Sequence, residues 1–428
     1  MVAAPCQQST PGEQTSAMDL YERIFRGRSL ASDSAGRRNS IGFLRLMLAA
    51  FVVVSHSRVL GFNLLEPGEA GSHLQTDLGK LGVFGFFVIS GYLISASGMR
   101  IRLGRFLWHR FLRIFPGLWM CLLLMAFVMA PLVALHLHGN LHHFWHQPDS
   151  PFHFLAADWW TGLRQTGVSG LRVNPITGIF DGALWSLSYE MLGYLAIAVL
   201  SVTAVLTRAP KFLIFLLAAC WLYMLHYQLD AHTWRGAHPV GININLPLLG
   251  VMTTGNLLYL GFMFVLGVVA QLYKDRISTH GAVAGAALVV LLASMKIGGF
   301  FVFGLPAYGY LVLWVAMRLR GPFQKVGRKH DYSYGLYIYA WPVQDLLSME
   351  HATRWGLLAY TLLALAGGLV MAVFSWHAVE SQAMRLKDWT PGFLRGRAAI
   401  PEPRSADVAV PESAAEPTVL PAIPAQTH

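Results

Sequence analysis

Charge is scarce in this chain. Only 13% of its 428 residues are Asp, Glu, Lys or Arg, 55% are hydrophobic, and the mean hydropathy is +0.48. Soluble domains carry about 25% charged residues, so a water-soluble globule is excluded as the main architecture. Cysteine is nearly absent as well. Cys6, Cys121 and Cys220 form neither a pair spacing nor a metal motif, which removes a disulfide framework and a zinc ribbon. Residues before Ile41 lack the apolar core of a cleavable leader. No internal repeat is visible, which argues against common secondary-transporter architectures. A nucleophile elbow of the G-x-S-x-G type is missing too.

Apolar runs of spanning length are abundant. About ten occur, at 41–60, 78–97, 114–135, 183–206, 211–227, 254–272, 280–296, 299–318, 333–350 and 355–378. They predict an all-α, polytopic integral membrane bundle over 41–388. The flanks are polar or Pro/Ala/Glu-rich, so 1–40 and 389–428 are expected to be disordered and cytoplasmic. Lysine and arginine gather in alternate connections. Arg100, Arg102, Arg105, Arg110 and Arg113 fill the second, and Arg318, Arg320, Lys325, Arg328 and Lys329 the eighth. The positive-inside rule makes those connections and both termini cytoplasmic, and places loops 61–77 and 136–182 outside. Topology therefore accounts for the net charge of +10, and no nucleic-acid partner is expected.

Ionisable residues inside spans are costly unless they face a protein interior or a watery cavity. Arg45 and His56 share the run 41–60. Eleven residues is close to three helical turns, so they lie on one face, about 16 Å apart along the axis. The plainer alternative is that each snorkels to its own interface. Arg110 and Arg113 are i, i+3 neighbours whose guanidinium forks suit a phosphate, or serve as topology determinants and headgroup contacts. Glu190 sits seven residues into the fourth run, at a depth that could match His56 and orient it as a general base, or else it pairs with a basic residue. Ser90 lies in a small-residue stretch, GVFGFFVISGYLIS, that allows close approach of a helix or a ligand. Asp345 is a further carboxyl inside a span and a candidate cavity wall. His142 and His146 would chelate a metal if helical, but no carboxylate or cysteine completes the set, and no metal is expected.

Together these pieces resemble the membrane-bound acyltransferase-3 family, which moves acyl groups onto carbohydrates and other acceptors. Arg45 and His56 have its Arg-x10-His spacing, and GVFGFFVISGYLI is similar to its second-helix signature. HRFLRIFP supplies Arg-x-x-Arg-x-x-Pro through Arg110, Arg113 and Pro116; LWSLSYE resembles its Trp-Ser-Leu-x-x-Glu block, SYGLYIYAWPV its late Ser-Tyr-x-x-Tyr helix, and VES at 379–381 its closing motif. The chain departs from the pattern at Gly42 and Phe84, where the family often has Asp, and at Ala340, where a late histidine is common. No role that needs those groups carries over.

The resemblance implies an O-acyltransferase in a bacterial inner membrane, using acyl-CoA, acetyl-CoA first, as co-substrate with no bound cofactor. Arg45, Arg110 and Arg113 would hold the donor phosphates. His56 would be the general base, with Glu190 orienting it or lining the acceptor side, and Ser90 and Asp345 lining the cavity. The acceptor would be a carbohydrate or glycolipid reached from the extracytoplasmic side. A sugar or lipid transporter or flippase remains the alternative, and a lipid-binding scaffold a third reading that the intramembrane ionisable residues disfavour.

Overall fold

The computed structural model describes residues 28–34, 39–171, 179–230, 233–237, 241–389 and 391. Most of the 1–40 and 389–428 segments, and Cys6 with them, lie outside the described residues. Among the described residues ten long helices follow the ten apolar runs: α1 Ile41–Phe62, α2 Leu78–Gly98, α3 Leu103–His138, α4 Gly182–Val202, α5 Pro210–Asp230, α6 Thr254–Leu272, α7 Gly281–Ile297, α8 Phe300–Arg318, α9 Ser333–Met349 and α10 Ala352–Arg385. Eight of them are long and apolar enough to cross a membrane. The other two, α7 and α9, have 17 residues each. That is about 26 Å of helix against a hydrocarbon core of about 30 Å. The bundle is polytopic and helical, and the expected count of ten is met by helices but not by full-length spans. The described residues hold one short antiparallel hairpin, Asn243–Leu246 with Gly250–Thr253, just before α6.

The core forms around α1, α2, α6 and α9. Close approach of α2 and α6 depends on two glycines. A Cβ at Gly91 would lie 2.0 Å from the Phe264 carbonyl oxygen, and one at Gly267 would lie 2.1 Å from that of Val88. The small residues of the second run are thus largely accounted for by helix packing. Between α1 and α9 the tie is polar. Gln344, fully buried, donates from Nε2 to the Val53 carbonyl and to Ser57 Oγ, both at 2.8 Å. Phe215 on α5 and Leu358 on α10 are about three-quarters exposed and mark the lipid-facing rim.

The N-terminal part of α3 extends into the arginine-rich connection, starting at Leu103 rather than near Ile114. Pro116 sits within it, and residues 125–129 relax into a π turn before the helix resumes at Ala130. Residues 144–146 form a 3-10 turn, so His142 and His146 do not share a helical face. Ahead of α1, Leu30–Ser34 is a short helix pinned to the α6–α7 connection by Leu30 N–H to the Ile277 carbonyl and Thr279 Oγ1 to Asp33 Oδ2.

Alternating connections define two faces, one carrying the basic loops before α3 and between α8 and α9. Cysteines introduced by Leu65→Cys and His142→Cys, both at exposed positions, are expected to react with a membrane-impermeant thiol reagent in intact cells. A cysteine from Lys325→Cys should react only after lysis. The reverse pattern would invert the topology.

Candidate active site

At the basic end three elements converge on one carboxylate. Arg45, in the second turn of α1, donates from Nη1 to Asp331 Oδ2 at 2.7 Å. Arg113 of α3 donates from Nη2 to the same oxygen at 2.6 Å. Asp331 lies two residues before α9, and its other oxygen accepts from the Ser333 hydroxyl and amide at 2.5 and 3.2 Å. Burial alone would raise its pKa. Arg45, Arg113 and the Ser333 hydrogen bonds outweigh that and hold the carboxyl below the usual carboxylate range. The three side chains are 14–22% exposed, so the group is partly desolvated and open on one side. Two forks around one carboxylate leave a net positive charge aimed at that opening. The Arg113 guanidinium also covers the Tyr334 ring at 5.8 Å.

Arg110 leaves this group and turns toward α4. Its Nη2 donates to Ser97 Oγ at 3.2 Å, and its guanidinium lies over the rings of Phe106 and Tyr194 at 5.6 and 5.7 Å. Tyr194 in turn donates to Glu190 Oε1 at 2.5 Å, and Ser90 donates to the same oxygen at 3.1 Å. A narrow cavity of about 40 Å³ runs between these groups, with Arg45, Ser90, Glu190, Ser333 and Tyr334 in its walls.

His56 lies in a second, larger cavity of about 440 Å³ toward the far end. Its ring meets Trp341 edge-on, with centroids 4.7 Å apart, and among the described residues it makes no hydrogen bond. The walls include Glu66, Glu69, Asp77, Lys80 and Phe84, together with Trp185 and Asn256. Val83 and Tyr337 belong to both cavities, so the two adjoin end to end across them. Tyr337 is fixed there by a 2.6 Å hydrogen bond between its hydroxyl and that of Ser186.

The structure thus brings Arg45, Ser90 and Glu190 to one cavity and joins Arg45 to Arg113 through Asp331. Glu190 and His56 are not in contact; the Val83–Tyr337 partition lies between their cavities. The reason is that α4 packs on α2 and α3, so its carboxylate meets Ser90 rather than α1. Asp345 is 1% exposed and lines neither cavity; its charge bears on Asp181 and Tyr360. Among the described residues no cluster of three metal-ligating side chains occurs. Sequence reasoning passed over Asp331, Asp77 and Tyr337. For Asp331 the signal was an acid embedded in the cationic run RKHDYSY, where an unpaired carboxylate would be out of place.

A family model described as an acyltransferase domain matches residues 38–379. The chain is 28% identical over 382 residues to nodulation protein 10 of Rhizobium leguminosarum bv. viciae, covering 83% of this chain and 95% of that protein. It is 26% identical over 351 residues to an O-acetyl transferase of Shigella phage Sf6, covering 81% and 96%. No solved structure matches.

Asp331→Asn keeps the shape but removes the charge that two partly buried guanidiniums share. Breaking a wholly buried pair costs about 3–5 kcal/mol, and the partial exposure here reduces that to about 2 kcal/mol. Thermal unfolding in detergent should show the loss, and an unchanged midpoint would mean that the bridge does not hold the basic end together.

Proposed function

The chain belongs to the acyltransferase-3 family, whose domain model spans residues 38–379, and from that premise we propose that this membrane O-acyltransferase moves an acyl group, acetyl first, from acyl-CoA bound at the basic, cytoplasmic end to a hydroxyl of a carbohydrate or glycolipid admitted from the far, extracytoplasmic end. One observation carries the reading. The cavity beside Arg45 and the His56 cavity share Val83 and Tyr337 in their walls, so a donor held at the Arg45 end and an acceptor entering at the other would approach each other across those two residues. The printed name of the phage relative supports acetyl as the group transferred.

The chemistry follows from the residues. Arg45 and Arg113, pre-oriented by Asp331, would hold the donor's phosphates, with Arg110 contributing from the α4 side, since planar forks pair bidentately with phosphate oxygens. The pantetheine arm would thread along Ser90 and Tyr337, bringing the thioester to His56. There the imidazole takes the proton of the acceptor hydroxyl as its oxygen attacks the thioester carbonyl carbon. The C–S bond then breaks, and the leaving thiolate recovers that proton from the imidazolium, giving ester and free CoA. Proton balance closes without a cofactor. Glu190, bonded to Ser90 and Tyr194, would shape the passage beside Arg110 rather than act on His56. Both termini would lie in the cytoplasm of a bacterial inner membrane protein, as the distribution of basic residues favours.

His56→Ala should lower product formation at least about 100-fold, the usual minimum for a lost general base, while acyl-CoA affinity measured by calorimetry stays within about twofold. Product is read by mass spectrometry on purified protein. Near-normal turnover would remove His56 as the base. A separate outcome tests the donor end: Arg45→Lys should raise the donor KM about tenfold, because an ammonium offers a point charge in place of a fork. Full activity at limiting donor would remove Arg45 from the phosphate site.

A further inference from the structure

The His56 cavity contains a carboxyl pair that the reaction above does not use. Asp77 caps the first turn of α2, its Oδ1 accepting from the Lys80 amide at 2.7 Å, and its Oδ2 pairs with Lys80 Nζ at 2.7 Å. It is 1% exposed. Glu66, from the α1–α2 connection, shares the cavity wall with it. Ser55, next to His56 in sequence, donates to Glu66 Oε2 at 2.6 Å and accepts from the Gly79 amide at 3.0 Å. The start of α2 and the α1–α2 connection are therefore clamped against the turn of α1 that carries His56. His56, Glu66, Asp77 and Lys80 all open on the same 440 Å³ space.

An imidazole set against Trp341 gains a positive charge when it takes a proton, and that charge needs a counter-charge in so apolar a wall. Glu190 lines the other cavity and makes no contact with His56. Asp77 is the charged group among the described residues that acts electrostatically on His56. We infer that Asp77 is the carboxylate that stabilises the imidazolium formed when His56 takes the acceptor's proton, and that Glu66 and Lys80 hold it in place for that purpose. It is a positioning residue: it acts through His56 and touches neither thioester nor acceptor oxygen.

The ionisation states agree with this role. Burial, and then the Asp77 carboxyl beside it, pushes Glu66 up to about 8. Burial also works against the Asp77 charge, but the Glu66 carboxyl and the Lys80 ammonium outweigh it and hold Asp77 below the usual carboxylate range. Of the two, Asp77 beside Lys80 is the easier to ionise and Glu66 the harder. The other titratable groups facing this space are Glu69 from the same connection and Tyr337 from α9; α4 and α6 contribute the uncharged Trp185, Asn256 and Leu260.

The inference rests on His56 being the base, and the experiment separates the two. Rate profiles against pH are recorded at saturating acyl-CoA and acceptor for wild type, His56→Ala, Asp77→Asn and Lys80→Gln. Asparagine keeps the helix cap, so Asp77→Asn preserves the local fold. Removing the negative charge makes the imidazolium harder to form. The acid limb of kcat should then move to lower pH by about one unit, with a fall in kcat and little change in donor KM. Lys80→Gln, at a half-exposed position, leaves the Asp77 charge unopposed and should move the limb the other way. Opposite shifts support the inference. A limb that stays put, or moves the same way in both variants, overturns it, since a merely structural role would lower kcat without that pattern. Full activity in His56→Ala would instead remove the base assignment, and this inference with it.

Discussion

The Arg45–Asp331–Arg113 bridge is the constraint on which the rest of the arrangement depends. In a chain with so few charges, two guanidiniums near the membrane boundary need a shared counter-charge, and one carboxylate supplies it to both at 2.7 and 2.6 Å. The bridge draws α1, α3 and the start of α9 together at the basic end. At the other end of α9, Gln344 fastens the same helix to α1 through Val53 and Ser57. With α9 held to α1 by both contacts, Tyr337 and Trp341 have fixed positions between them. Tyr337 becomes the partition between the cavities and Trp341 the wall behind His56.

That geometry separates the two polar tasks of an acyl transfer within one bundle. Phosphate recognition requires dense positive charge, which would disfavour the protonated form of a nearby base. Here Arg45 and His56 line different cavities, about three helical turns apart on α1. The groups between them are small or uncharged, with Ser90, Val83 and Tyr337 lining the junction. Glu190 stays on the arginine side, where Tyr194 links it to Arg110. The charge of each end is therefore set locally: Asp331 and Glu190 offset part of the arginine charge at one, and Lys80 pairs with Asp77 at the other.

Much of the fold was legible because the hydrophobic effect writes it in runs. Residues 299–318 became Phe300–Arg318, and 254–272 matched α6 to the residue. The boundary of α3 was missed by eleven residues because its first three turns are amphipathic and basic, a pattern that reads as a loop when only apolar length is counted. For the site, the spacing of Arg45 and His56 correctly gives one face of one helix, since that is a property of helix geometry alone. Pairings between helices are a different matter. Equal depth in the membrane made Glu190 a candidate partner for His56, yet depth does not say which helix a side chain faces, and α4 faces α2. Asp331 and Asp77 were hidden for a related reason. Both lie just ahead of helices, in connections where a carboxylate looks ordinary until the fold shows what it touches.

Phe84 makes the position of Asp77 physically telling. In the family that this chain resembles, aspartate is frequent at the Phe84 position; here an aromatic ring fills it and lines the His56 cavity. Asp77 lies seven residues earlier on α2, two helical turns along nearly the same face, and lines that cavity too. A carboxylate at position 84 would lie about two turns into the apolar span, beyond the helix terminus. At position 77 it caps the helix and pairs with Lys80, so the negative charge is retained at a place where the backbone and an ammonium already stabilise it. On the inference drawn above, the counter-charge for His56 would act from the helix terminus rather than from the middle of the span, and would leave the 440 Å³ chamber clear for the proposed acceptor.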